Sequence, residues 1–295
     1  MKYTFVTGGI KHPLKGGGNP TKSVRIKNLS FGPDMPLAVV AGPCVIETRE
    51  KCLKLAKRLK DILQDLNLPF VFKASYDKSN RSSIHSFRGP GLEEGLEILA
   101  EIRSTLDIPV LSDIHYPEEV EPAAKVLDVI QIPAFLCRQT DLVVRAAKTG
   151  KPVNVKKGPF MAPWDMKLVA EKILSTGNDN IIFTERGTSF GYNNLVSDMR
   201  SIVILKEIGY PVLFDATHSV QQPGGQGSSS GGERHMAEPI ARAAVAAGAD
   251  GVYLEVHEQP EKALCDSATM LPVDKLSPIL EKLKQIREIA REDTR

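Results

Sequence analysis

No run of about eighteen apolar residues occurs in this 295-residue chain, so membrane-spanning helices are not expected and neither is a membrane partner. The N-terminus lacks a charged segment leading into an apolar core, the mark of a secretory leader, and a cytoplasmic location is expected. Cysteine is scarce. Cys44, Cys52, Cys137 and Cys265 include no CxxC pair, which argues against a disulfide scaffold and for reduced thiols. Charge of one sign is also scarce: a net charge of +2 is too small for a nucleic-acid surface. The informative cations are therefore the clustered ones, and a local anionic ligand is implied. With 42% hydrophobic and 25% charged residues, the composition is that of an ordinary globular protein.

Eight short, almost continuously apolar runs are present: 37–41, 69–74, 109–113, 128–132, 152–156, 180–185, 211–215 and 251–256. Such runs read as parallel strands buried on both faces. Helical spacing of apolar residues recurs between them, as in 49–66, where Cys52, Leu55, Ala56, Leu59, Ile62 and Leu63 fall on one stripe. Similar patterns predict helices over 92–106, 117–126, 139–149, 163–175, 194–207, 234–247 and 275–291. Eight strand-helix units favour a closed α/β architecture, the (β/α)8 TIM barrel, over an open doubly wound sheet. The chain is read as one domain, residues 1–295, with 1–36 as an N-terminal extension. Its VRIKNLSFG and GGG segments predict a short hairpin or plug at the barrel's entry. The stretch 221–232, QQPGGQGSSSGG, has a linker's composition, but a linker there would cut the barrel, so it reads as a mobile loop over the site.

Seven of the eight runs end on, or within three residues of, a chemically capable group: Cys44, Lys73, Asp113, Lys156, Glu185 with Arg186, Asp215 with His218, and Glu255. Strand C-termini are where a barrel converges polar groups on one point. After the second strand, KASYDKSNRSS carries Lys73, Lys78 and Arg81 with Asn80, Ser82 and Ser83, which is charge plus neutral donors, the mixture that phosphate recognition needs. A solvated basic loop is the bland alternative, weakened because Lys156 and Arg186 reach the same face. Gln131 ends the fourth strand and has an amide able to orient a carboxylate; Arg138 is open between capping a helix and facing a subunit neighbour. Cys44, His218, Glu255 and Asp266 offer one sulfur, one imidazole and two carboxylates, a set suited to Zn, Fe, Mn or Co. Singly each has an innocuous reading, a buried thiol or a paired carboxylate; together on one barrel face they read as a metal site. Asp113 and His115 in SDIH and Asp215 in DATH complete the polar ring, with His115 also readable as structural.

On AGPCVIE (41–47), FKASYDKSNRSS (72–83), IQIPAFLCRQTDL (130–142), NVKKGPF (154–160), ERGTSFGYNNLVSDM (185–199), FDATHSVQQPGG (214–225) and the Glu255/Asp266 pair, the chain resembles the 3-deoxy-D-manno-octulosonate 8-phosphate synthases of the metal-dependent class. The resemblance covers roughly 37–285. It implies a homotetrameric transferase of lipopolysaccharide (KDO) biosynthesis that condenses phosphoenolpyruvate with arabinose 5-phosphate and water, releasing inorganic phosphate. Carried over by motif, Lys73, Lys78, Gln131, Lys156 and Arg186 would hold phosphoenolpyruvate. Asn80, Arg81 and Ser82 would hold the pentose phosphate, with Arg138 reaching it from a neighbouring subunit. Cys44, His218, Glu255 and Asp266 would hold the divalent metal, and Lys73, Asp113, His218 and Asp266 would carry the catalysis. Family members that work without metal have asparagine where this chain has Cys44. The rival is a 3-deoxy-D-arabino-heptulosonate 7-phosphate synthase using erythrose 4-phosphate, whose second-strand motif resembles KPRTSP; the Asn80–Ser83 series favours the longer aldose. A noncatalytic phosphosugar-binding barrel is the alternative from another class.

Overall fold

The computed structural model describes residues 21–81, 83–225 and 231–292. Eight parallel strands form its centre: β1 (Ala38–Gly42), β2 (Phe70–Lys73), β3 (Val110–Asp113), β4 (Val129–Ile132), β5 (Val153–Lys156), β6 (Ile181–Glu185), β7 (Val212–Asp215) and β8 (Gly251–His257). Each strand pairs with its sequence neighbours, and β8 pairs with both β7 and β1, so the sheet closes. The helices that follow the strands are α1 (Arg49–Asp65), α2 (Leu92–Leu106), α3 (Val120–Val126), α4 (Thr140–Ala147), α5 (Met166–Leu174), α6 (Arg200–Glu207), α7 (Ala237–Ala246) and α8 (Leu276–Glu292). The closed barrel settles the choice against an open sheet.

Period-two alternation sorts the strand residues. Val39, Phe72, Ile130, Val155, Phe183 and Phe214 face outward into the helix-packed core. Val40, Val71, Leu111, Val129, Ile182 and Leu213 face inward and pack together with Tyr253. Two residues further along the same face the chemistry changes to Gly42, Lys73, Asp113, Gln131, Thr184 and Asp215. The barrel is thus apolar at its base and polar at its C-terminal mouth. The expected N-terminal hairpin is present: Val24–Ile26 pairs antiparallel with Leu29–Phe31, and Val24, Ile26 and Phe31 join the inner apolar layer, closing the base. The GGG run lies outside the described residues.

Gly42 shows how tightly the first two strands approach. A Cβ placed on it would stand 1.8 Å from the carbonyl oxygen of Lys73, a backbone atom that cannot swing aside. Gly42→Ala is therefore expected to destabilise the protein by about 3 kcal/mol or more, measured as a shift of the denaturant midpoint.

The segment 194–207 departs from its expected helix. Leu195–Val196 pairs with Thr188–Ser189, and helix begins only at Arg200. Gly187, Gly191 and Asn193 all have positive φ, which turns the chain back on itself and lets Leu195 be buried from a hairpin. Three other helices open one turn late, behind 3₁₀ turns at Pro117–Glu119, Pro163–Asp165 and Arg234–Met236. In the loop after β7, Gln221–Gln222 pairs with Gly231–Gly232, so both ends of the stretch belong to one arm attached to the barrel; residues 226–230 lie outside the described set.

Candidate active site

A cavity of about 490 Å³ opens at the C-terminal mouth of the barrel. Its wall takes Lys78, Asn80 and Arg81 from the β2 loop, Asp113 and His115 from β3, Lys156 from β5, Arg186 from β6, His218 and Gln221 from the β7 loop, and Cys265 and Asp266 from the β8 loop. Lys78, Arg81, Lys156 and Arg186 face this space together with Asp113 and Asp266, an arrangement suited to an anionic ligand. Lys156 Nζ donates to Asp215 Oδ2 at 2.6 Å and lies 3.7 Å from the centre of the Tyr253 ring. Burial pulls the Lys156 pKa down against the opposing pull of Asp215, while Asp215 itself, despite burial, is held far below the carboxylate range by His218 and Lys156. Arg186 donates to Gln221 Oε1 at 3.0 Å.

Beneath the wall a buried relay crosses four strands, β6 to β3, and ends on Ser75 just beyond β2. Thr184 Oγ1 donates to Asn154 Oδ1 (2.7 Å), Asn154 Nδ2 to Gln131 Oε1 (2.8 Å), and Gln131 Nε2 to Asp113 Oδ1, whose second oxygen accepts from Ser75 Oγ at 2.9 Å. Every member is paired, which fixes the Asp113 carboxylate in one orientation. Burial alone would raise its pKa, but Lys78, Lys73 and Lys156 overcome that and keep it an anion. Lys73 also sits below the wall, donating to Pro43 O (3.2 Å), Cys44 O (2.8 Å) and Glu255 Oε1 (2.7 Å). Glu255 and the coulombic field of its neighbours outweigh burial and hold the Lys73 ammonium charged.

At the β8–β1 side, the Cys44 thiol donates to Asp266 Oδ2 at 3.2 Å. His218 Nε2 is 3.5 Å from Glu255 Oε1 and 3.6 Å from Asp266 Oδ2. His218 Nδ1 is 2.7 Å from Asp215 Oδ2, with its N–H direction off that oxygen. Two overlapping donor trios result, Cys44–Cys265–Asp266 and His218–Glu255–Asp266, each with its ligand atoms within 4.8 Å of one another. Glu255 is fully buried and its Oε2 has no hydrogen-bond partner among the described residues. A buried carboxylate oxygen left open, beside a thiol, an imidazole and a second carboxylate, fits a divalent transition metal. Burial, then Cys265 and Asp266, push the Cys44 thiol well above its usual range, so a thiolate there needs a cation close by.

The expected site residues separate by depth. Lys78, Asn80, Arg81, Asp113, Lys156, Arg186, His218 and Asp266 line the cavity. Lys73, Gln131, Cys44 and Glu255 lie against it but one layer deeper, and the Gln131 amide is committed to the relay on both of its ends. Ser82 lies outside the described residues. Arg138 is exposed and is not brought to the cavity of its own chain. Four residues not anticipated belong here. Cys265 accepts from Arg81 Nη1 at 2.8 Å. Asn154 and Thr184 extend the relay. Lys157, fully buried behind Lys156, spans Gly158 O, Met161 O, Gly187 O and Thr188 Oγ1 at 3.2 to 3.3 Å and so ties the β5 and β6 loops together. The inward polar parity of Asn154 and Thr184 was a readable signal; Cys265 and Lys157 had none.

A closed (β/α)8 barrel whose mouth joins a cationic cavity to a sulfur, nitrogen and oxygen donor cluster defines a class of enzymes that act on anionic substrates. Comparison narrows the class. The chain belongs to the DAHP synthetase I family, whose model matches residues 20–292. It is 61% identical over 270 residues to the 2-dehydro-3-deoxyphosphooctonate aldolase of Geotalea daltonii, covering 92% of this chain and 99% of that one. The protein of the same name from Geobacter metallireducens is 60% identical over 271 residues, 92% and 100% of the two chains. That from Desulfatibacillum aliphaticivorans is 59% identical over 263 residues, 89% and 96%. Among the described residues, no helix is long and apolar enough to cross a membrane.

Proposed function

We propose that this protein is a 3-deoxy-D-manno-octulosonate 8-phosphate synthase, the activity that its relatives carry under their aldolase name. Phosphoenolpyruvate, arabinose 5-phosphate and water give the eight-carbon sugar acid phosphate and inorganic phosphate. The observation that carries the reading is the convergence of Lys78, Arg81, Lys156 and Arg186 on one cavity beside the Cys44–His218–Glu255–Asp266 cluster. Two phosphates and a carboxylate must be held at once, and charge-assisted donors from three separate strand ends do that without competing for one anion.

Lys156 and Arg186, with Lys78, hold the phosphate and carboxylate of phosphoenolpyruvate; Asn80, Arg81 and Ser82 hold the aldose phosphate. Lys73 and Gln131 act from the layer below, Lys73 through Glu255 and Gln131 through Asp113. The enol carbon attacks the aldehyde, water adds to the neighbouring carbon, and the C–O bond to phosphate breaks after a tetrahedral intermediate. Positive charge develops at that carbon, and the fixed Asp113 carboxylate stands in the cavity wall to stabilise it without reorganising. His218 and Asp266 flank the aldehyde end. Cys44, His218, Glu255 and Asp266 would hold the metal, which supplies Lewis acidity and a fixed positive charge when bound. The exposed Arg138 guanidinium reaches the aldose phosphate of a neighbouring subunit in a homotetramer, and the enzyme works in the cytoplasm. The test is phosphate release with each aldose. Arabinose 5-phosphate is expected to give a kcat/KM at least tenfold above that of erythrose 4-phosphate; the reverse order would make the protein a heptulosonate synthase, and binding without release a noncatalytic barrel.

A further inference from the structure

Glu47 takes no part in the chemistry above, yet its buried carboxylate joins three segments that meet at the donor cluster. Its side chain is 6% exposed. Oε1 accepts from the backbone N–H of Leu264 at 3.0 Å and stands 3.4 Å from His257 Nε2 at the end of β8, while Oε2 accepts from Lys51 Nζ on α1 at 2.8 Å. Glu47 is three residues beyond Cys44, and Leu264 is two before Asp266. The contact with Leu264 therefore crosses between the two chain segments that supply the sulfur and one carboxylate. We propose that Glu47 is a positioning residue, a strut that holds the β8 loop against the end of β1 so that Asp266 meets Cys44 and the metal site is preformed.

Two features say that the loop needs such a strut. Asp266 has a left-handed backbone, φ +48°, a conformation that aspartate tolerates better than most non-glycine residues but that still costs free energy and gains from contacts that hold it. The Leu264 side chain is half exposed and anchors little by packing, leaving its backbone N–H as the fastening point. The small apolar cluster of Cys44, Val45, Cys265 and Met270 also packs the loop, and Arg81 and Arg234 fasten it at Cys265 and Ser267, but of these contacts none crosses from the segment just beyond Cys44 to the backbone just before Asp266 as the Glu47 bond does. The Lys51 contact is an (i, i+4) pair whose lysine is 62% exposed, so it contributes little. Although burial raises the Glu47 pKa, Lys51, the Leu264 N–H and His257 lower it further, and the group is an anionic acceptor.

The inference rests on the proposed metal centre, and its test separates the two. Co²⁺ and Zn²⁺ affinities would be measured by chelator competition on the full chain, with the Co²⁺–thiolate absorption as a second readout and the thermal midpoint of each metal-free variant as a third. Glu47→Ala is expected to weaken affinity at least tenfold and to change the absorption, in the range seen when partners of metal ligands are removed. Glu47→Gln, which keeps an oxygen for the Leu264 N–H, is expected to stay within about threefold of wild type. Both metal-free variants should melt within a few degrees of wild type. Unchanged affinity in Glu47→Ala would overturn the strut alone. Equal losses in both variants, or losses that track the melting temperature, would also overturn it, by assigning Glu47 to general stability. Wild type that binds neither ion would overturn the metal centre and the strut with it.

Discussion

Exhaustive chelation is expected to lower phosphate release by at least about a hundredfold, equivalent to about 2.7 kcal/mol of lost transition-state stabilisation. The expectation comes from charge. Glu255 is a buried anion and Asp266 a partly buried one, Glu255 Oε2 has no partner among the described residues, and Cys44 is a thiol that burial and its acidic neighbours keep from ionising unaided. Lys73 donates to Glu255 Oε1, the oxygen that also stands 3.5 Å from His218 Nε2, and leaves Oε2 unpaired among the described residues. Restoring Zn²⁺, Fe²⁺, Mn²⁺ or Co²⁺ should return activity in proportion to bound metal, measured by elemental analysis of the same samples. Cys44→Asn should reduce the dependence, because a neutral amide at that position needs no cation to hold a thiolate; a residual rate after chelation above that of chelated wild type is the expected sign. Wild type that turns over fully with its metal content measured as nil would refute the metal requirement.

Strand identity was legible because the strands are mostly apolar and most of them end on or near a polar group, so ends shifted by only one residue, as at 37–41 against Ala38–Gly42. The second half of the β6 loop was not. Leu195 satisfies helical spacing as well as it satisfies a hairpin, and only the positive φ of Gly187, Gly191 and Asn193 decides between them. The site shows a related limit. Alternation tells which face of a strand a residue occupies but not its depth, so the pattern does not distinguish Lys73 and Gln131, buried just beneath the cavity wall, from Lys156, which is part of it. Lys157 follows Lys156 and by the same alternation points outward, into a cage of backbone oxygens that no spacing rule foretells. Cys265 is close to Cys44 only because a long loop returns over the barrel mouth.

Lys156→Met is expected to lower kcat/KM about a thousandfold, near 4 kcal/mol, with a separate loss of stability of about 3 kcal/mol. The two effects have different origins. The activity falls because the lysine lines the cavity where the phosphoenolpyruvate anions are proposed to sit, and a thioether cannot replace a charge-assisted donor. The stability falls because Asp215, fully buried, loses the 2.6 Å ammonium partner of Oδ2 and is left with the His218 imidazole there, while Thr217 Oγ1 and the His218 backbone N–H still donate to Oδ1. The double variant Lys156→Met/Asp215→Asn separates them: neutralising the orphaned carboxylate should recover most of the unfolding free energy while leaving turnover at or below that of the single variant. Denaturant midpoints and single-turnover phosphate release on the three proteins make the comparison. Recovery of turnover in the double variant would mean that Lys156 serves only to neutralise Asp215, and the anion-binding role would then rest on Lys78, Arg81 and Arg186.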